Sequence, residues 1–218
     1  MTTGLLAALY AFVLGTAFAA SRVRLLSRPL RVRWPWATTI AVIIIGLSTL
    51  AQFSVAPSLL EKLERNWTLI ARGEVWRLIT SLVVQDGGPA GAIFNLVALA
   101  VIGFAAEQVW GPIRWTVVAL GGALGAELWG KIVQPIGAGN SVAVFSLAAS
   151  LAVVAMLRRV GLQRFLGVMS LAGAAVLLII GDIHGGAATI GAILGGVLAP
   201  GIASSLSSPE TSGADRQQ

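Results

Sequence analysis

Seven apolar stretches, separated by short polar or charged segments, organise the chain: roughly 3–20, 35–56, 89–106, 115–133, 141–157, 165–180 and 183–202. A helix rises about 1.5 Å per residue, so most of these runs can cross a hydrocarbon core of about 30 Å with some tilt or local thinning. The runs that begin at Ser141 and Phe165 are at the short end. The pattern predicts an all-α polytopic transmembrane bundle. Residues 1–34 form an N-terminal helix and a basic cytoplasmic loop, 35–203 one membrane domain, and 204–218 a polar, disordered cytoplasmic tail.

Residues 58–77 break the pattern. Glu61, Lys62, Glu64, Arg65, Arg72, Glu74 and Arg77 alternate there with Leu59, Leu60, Leu63, Trp67, Leu69 and Ile70. Such a mixture suits a segment lying in the membrane interface better than one projecting into water. Asn66-Trp67-Thr68 matches a glycosylation acceptor, a triplet common by chance, and no role is assigned to it.

Composition sharpens the class. With 56% hydrophobic and 11% charged residues, the 218-residue chain is an integral membrane protein with little length left for a second domain. The net charge of +6 is concentrated in Arg22, Arg24, Arg28, Arg31 and Arg33, lodged between two apolar runs. That placement points to the anionic cytoplasmic lipid surface rather than to nucleic acid. The absence of cysteine excludes a disulfide, a thiolate nucleophile and a Cys-based metal site, and a single histidine argues against a zinc protease. Neither a metal nor a cofactor is expected.

Placing the arginine block inside puts Arg114, the loop of Arg158, Arg159 and Arg164, and the tail with Arg216 inside as well, ten basic residues against five outside. The C-terminus is then cytoplasmic. Tryptophan prefers the headgroup region, and none of the seven falls mid-span on this map. Trp34 and Trp36 flank the inner end of the second run, Trp110 and Trp115 bracket an inner loop, and Trp129 lies near an outer end. Ala17 to Ser21 looks somewhat like a cleavage site, but a secretory signal carries its positive charge before the apolar core, and here the arginines follow it. An uncleaved extra helix with its N-terminus outside is the better reading.

The same topology brings Ser141 and His184, each opening an apolar run, to the outer face. A serine hydroxyl becomes a useful nucleophile when a base can take its proton, so the pair suggests hydrolysis just inside the bilayer. Taken alone, Ser141 reads as a helix N-cap and His184 as a hydrogen-bonded interfacial residue. Asn95, about six residues inside its span, must find hydrogen-bond partners; it either bridges helices or donates to an oxyanion above Ser141. Gly191 and Gly195 form a small-residue stripe on the His184 helix, and Ala143, Ser146, Ala149 and Ser150 make the Ser141 helix small-faced, so the two can approach closely, for the site or for packing alone. Glu127 and Lys131 read as an i, i+4 pair at the outer boundary; Asp182 either orients the imidazole or caps its helix, and the cap is preferred because two residues is an awkward separation for reaching the ring.

Taken together, Glu74-Val75-Trp76-Arg77-Leu78-Ile79-Thr80-Ser81, Phe94-Asn95, Glu107-Gln108-Val109-Trp110-Gly111, Gly139-Asn140-Ser141-Val142-Ala143-Val144-Phe145, and His184-Gly185-Gly186 with Gly191 and Gly195 resemble the rhomboid family of intramembrane serine proteases. The resemblance implies a six-helix rhomboid-like core, here with an extra N-terminal helix. It makes Ser141 the nucleophile and His184 the general base, a dyad without an essential carboxylate. Asn95 and the Ser141 backbone N–H would hold the oxyanion. Trp76 and Arg77 would belong to the interfacial first-loop structure, Glu107 and Gly111 to a structural turn, Gly139 to the motif before the serine, and Gly191 with Gly195 to the contact between the Ser and His helices.

Three departures from the family pattern involve four positions. Gln85 and Gly91 stand near places where family members often carry histidines, Val142 follows the serine where glycine is usual, and Ser146 replaces a small glycine. A β-branched Val142 is strained if φ there must be positive and harmless if φ is helical. The implied function is cleavage of transmembrane protein substrates near the outer face. The alternative is an inactive rhomboid-like protein that binds transmembrane clients as adaptor or chaperone. A small-solute carrier is a third class, but no internal repeat supports it. A bacterial plasma membrane is the expected location.

Overall fold

The computed structural model describes residues 2–27 and 34–200, with the side chains of 22–27 outside the description. The side chains of the arginine block from Arg22 to Arg33, and the tail of 204–218 with Arg216, therefore lie outside the described residues. Long helices form over the apolar runs: α1 (Thr3–Ser27), α2 (Trp36–Ser54), α6 (Gly88–Val133), α7 (Ser141–Arg158), α8 (Gly161–Ile179) and the shorter α9 (Ile183–Leu198). Short elements fill the loop between α2 and α6: α3 (Leu59–Leu63), β1 (Arg65–Asn66), α4 (Trp67–Ile70) and α5 (Arg77–Thr80). A second two-residue strand, β2 (Ile136–Gly137), precedes α7. Five of the described helices are long and apolar enough to cross a membrane. The protein is an all-α polytopic helical bundle, a multi-pass membrane protein.

α6 is two spans in one. Forty-six residues in line would measure about 69 Å, twice a hydrocarbon core. Gly111 breaks the run with φ 71°, ψ 170°, a backbone that an L side chain adopts only with strain, and Pro112 removes the next donor. The Trp115 indole donates to the carbonyl of Gly103 at 3.0 Å, twelve residues back, so the two halves fold against each other as a hairpin.

This hairpin caps a distant helix. The N-cap position of α2 is Pro35, which has no capping side chain, and the first N–H groups of a helix lack intrahelical acceptors. Buried Glu107 supplies them: its carboxylate accepts from Ala37 N at 2.9 Å and from Thr38 N and Thr38 Oγ1 at 2.8 Å.

α7 is the central helix, with every residue from Val144 to Ala155 buried. Its small residues allow α9 to approach backbone to backbone. A Cβ on Gly191 would collide with the backbone of Ser146, and one on Gly195 would lie 2.8 Å from Ser150 Cα. Ser146 is accommodated in place of a glycine because Gly122 of α6 leaves room opposite it, and its hydroxyl donates to Val118 O at 2.7 Å. α1 lies across α7 and α8 with Val13, Ala17 and Ala20 buried, and it runs unbroken through 17–21.

Several side chains differ from their expected places. Trp110 and Trp115 do not face headgroups; both are buried, and Trp110 Nε1 donates to Ser150 Oγ at 3.0 Å. Indole N–H groups this close to the bundle axis find acceptors there rather than in lipid. Trp34, Trp36 and Trp76 are exposed. Glu127 does not pair with Lys131. It turns inward to Arg65 at 2.9 Å, while the Lys131 ammonium sits 5.4 Å from the centre of the Trp67 ring. In a low-dielectric interior a guanidinium with further hydrogen bonds compensates a buried carboxylate far better than a snorkelling amine.

Candidate active site

The loop between α2 and α6 is built from its own buried arginines. Arg77 donates to Glu74 at 2.7 Å and to the carbonyls of Glu61 and Glu64 at 2.9 Å, tying α3 to α5. Asn66, the residue of the acceptor triplet, caps α4 through Thr68 N and Leu69 N. Arg65 reaches Glu127 and the carbonyl of Gln134, and β1 pairs antiparallel with β2, Arg65 opposite Gly137 and Asn66 opposite Ile136. These contacts fasten the loop to the segment that leads into Ser141.

That segment is held on both sides. Gly139 has φ 139°, and its N–H donates to Ser81 O at 2.9 Å; Ala138 N donates to Asp86 Oδ2 at 2.8 Å. Ser141 is the first residue of α7, with Asn140 in the cap position. The Ser141 hydroxyl is thus not spent on capping. Its backbone N–H, in the first turn, has no intrahelical acceptor and lies at the positive end of the helix dipole. Val142 is helical and buried, and among the described residues no non-glycine has positive φ, so the valine strains nothing.

His184 reaches the same point from α9. Gly181, at φ 73°, closes the turn after α8, and Asp182 caps α9 through its Oδ1, which accepts from His184 N at 2.8 Å. His184 Nε2 lies 2.9 Å from Ser141 Oγ, and Nδ1 lies 2.7 Å from Asp182 Oδ1. The preference for Asp182 as a cap rather than a partner of the ring is corrected here: the same carboxylate oxygen does both. Helical side chains lean toward the N-terminus, so a ring at the second helical position folds back over its own cap. Because a carboxylate only accepts, Nδ1 carries the proton and the Nε2 lone pair faces the serine hydroxyl.

Three aromatic or acidic side chains complete the surroundings. The His184 ring centre lies 4.6 Å from that of Phe145 and 4.5 Å from that of Tyr10. The Tyr10 hydroxyl donates to Asp182 Oδ2 at 2.6 Å. Burial works to raise the Asp182 carboxyl, but the hydrogen bonds and charge of His184, with the Tyr10 hydroxyl, outweigh it and hold the group below its usual range. Tyr10 was missed by the sequence reading, and no motif marks it.

Asn95 stands beside the serine. Its Nδ2 donates to Gln85 Oε1 at 2.9 Å, and Gln85 Nε2 donates to Asn140 Oδ1 at 2.8 Å. Gln52 holds Gln85 in turn through its backbone N–H and C=O. A Cβ on Gly139 would lie 3.4 Å from Asn95 Nδ2, 3.5 Å from Gln85 Oε1 and 3.6 Å from Ser141 Oγ, so the amides and the hydroxyl converge on that glycine. Gly91, by contrast, would place a Cβ in open space. A cavity of about 60 Å³ adjoins the pair, lined by Ser141 and His184 together with Asp86, Gln134, Arg65 and Glu127. It is lined by charged and amide side chains and is large enough to admit water.

The Rhomboid protease GluP of Bacillus subtilis (strain 168) is 34% identical over 101 residues, which cover 46% of this chain and 20% of that relative. The chain thus matches about a fifth of the length of this curated relative. The family model described as the Rhomboid domain matches residues 72–206, more than half of the chain. The protein belongs to the rhomboid family.

Proposed function

We propose that the protein is an intramembrane serine endopeptidase that cleaves transmembrane protein substrates near the outer membrane face. The observation that carries this reading is the 2.9 Å approach of Ser141 Oγ to His184 Nε2, with Nδ1 of the same ring on a carboxylate. His184 takes the Ser141 proton as Oγ attacks the peptide carbonyl, and the tetrahedral oxyanion is held by the Ser141 backbone N–H and by the second amide hydrogen of Asn95. The imidazolium then returns its proton to the leaving amine, giving an acyl-enzyme. Water from the polar cavity, deprotonated by His184, completes hydrolysis. No metal or cofactor enters these steps. The reading places the enzyme in a bacterial plasma membrane with its C-terminus cytoplasmic, where the bilayer and the substrate helix are its partners.

A second reading is an inactive family member that binds transmembrane clients as an adaptor or chaperone. Gly91 favours it, since that position supplies no donor to the oxyanion.

Fluorophosphonate labelling and cleavage of a transmembrane reporter in liposomes separate the two. Capture and cleavage by the wild type, both lost in Ser141→Ala and His184→Ala, support the enzyme. A wild type inert in both assays that still retains a reporter helix supports the binder.

A further inference from the structure

The group that orients His184 comes partly from α1, which precedes the family match at residues 72–206. This helix has a defined seat. Ser170 Oγ of α8 donates to Val13 O at 2.9 Å, and Gly173 leaves room where a Cβ would lie 2.8 Å from Val13 Cγ2. The seat delivers the Tyr10 ring to His184 and to Phe145, and the Tyr10 hydroxyl to Asp182 Oδ2.

Capping alone does not account for these contacts. A cap at Asp182 requires one oxygen on the His184 N–H; the Nδ1 contact and the Tyr10 bond to the other oxygen are surplus to it. Each has a consequence for the ring. Two aromatic rings packed against the imidazole at tilted angles limit its rotation, and a carboxylate fixed at both oxygens cannot swing away from Nδ1.

We infer that α1 is a working part of the catalytic centre: Tyr10 and Asp182 are positioning residues that fix the plane and the Nδ1-protonated tautomer of His184, so that Nε2 meets Ser141. This rests on the Ser141–His184 reading above. Tyr10 and Asp182 keep their protonation states throughout. The serine proton passes to Nε2, and Asp182 stabilises the resulting imidazolium. The polar groups around the ring are Ser141 from α7, Tyr10 from α1 and Asp182 at its own cap, with Asp86 and the Arg65–Glu127 pair lining the adjoining cavity.

The chain has one histidine and one tyrosine, which makes the test direct. In the full-length protein labelled with 15N-histidine, the ring nitrogens report the tautomer of His184 without reference to activity. Wild type is expected as the Nδ1-protonated form and Asp182→Asn as a mixture. Asp182→Asn lowers kcat on a transmembrane reporter about 10²-fold to 10⁴-fold with little change in KM, the scale seen when an orienting aspartate is neutralised. Tyr10→Phe keeps the ring and its packing; it admits the second tautomer and lowers kcat about fivefold to thirtyfold, as expected for losing one hydrogen bond to a charged group. Wild-type tautomer and kcat in Tyr10→Phe overturn the inference. A locked, Tyr10-dependent tautomer in a wild type that cleaves no reporter overturns the protease reading instead and leaves the positioning role standing.

Discussion

Arg65 and Glu127, 62 residues apart, form an ion pair at 2.9 Å in which both side chains are 2% exposed. The pair joins the loop between α2 and α6 to the second half of α6, and Arg65 Nε and Nη2 both donate to Gln134 O. A buried pair of this kind adds little over apolar residues of similar shape, but removing one partner strands a charge. Arg65→Ala is expected to cost about 3–5 kcal/mol, and Arg65→Met with Glu127→Leu to recover most of it. Thermal unfolding of the three proteins in detergent checks the ordering; a double variant no more stable than Arg65→Ala contradicts it.

At the α7–α9 contact, substitution is expected to act through space. Gly191→Ala drives a methyl into the Ser146 backbone, whereas a Cβ on Gly46 meets nothing within 4 Å. The first change should cost about 1–3 kcal/mol or more and lower cleavage by moving His184 away from Ser141. Gly46→Ala should leave both unchanged. Equal effects of the two would mean that the helices do not meet as described.

The amide cluster yields a graded prediction for catalysis. On the proposed mechanism Asn95→Ala removes a donor to the oxyanion and should lower kcat about 10²-fold to 10³-fold with KM nearly constant. Gln85→Ala leaves that donor in place but frees it from its hold on Oε1, so the loss should be smaller, about tenfold. Reporter kinetics decide the order. A larger loss in Gln85→Ala would reassign the donor role.

Acid should loosen the tie between α1 and the start of α9. The Asp182 carboxyl is depressed below its usual 3.8, so its contribution to stability is complete above that value and disappears as pH falls through the lower folded value. Unfolding temperatures from about pH 6 down to about pH 2 should converge for wild type and Asp182→Asn at the acid end. Parallel curves throughout would mean that the carboxylate contributes nothing through its charge.

Much of this architecture was legible along the chain. Apolar run length fixed the spans, the break between the runs 89–106 and 115–133 separated the two that α6 joins, and small residues at Gly191, Gly195, Ser146 and Ser150 marked the close helix pair. Ser141 and His184 could be brought to one face because each opens a helix, and helix ends follow from local chemistry. The partners of the buried polar groups were not legible. Glu127 passed over Lys131, four residues away, for Arg65; Glu107 capped a helix 70 residues away; Trp110 turned inward to Ser150.

Hydropathy is a local property, summed over one turn after another, and it therefore determined where this chain enters and leaves the bilayer and which residues wait at each boundary. The choice of a buried partner is not local. A carboxylate or an indole inside the bundle takes the best compensating group within a few ångströms, and what lies that close depends on which helix faces are in contact. Only the packing of the first helix against α8 could bring Tyr10 to Asp182, 172 residues away in sequence, and so decide what surrounds His184.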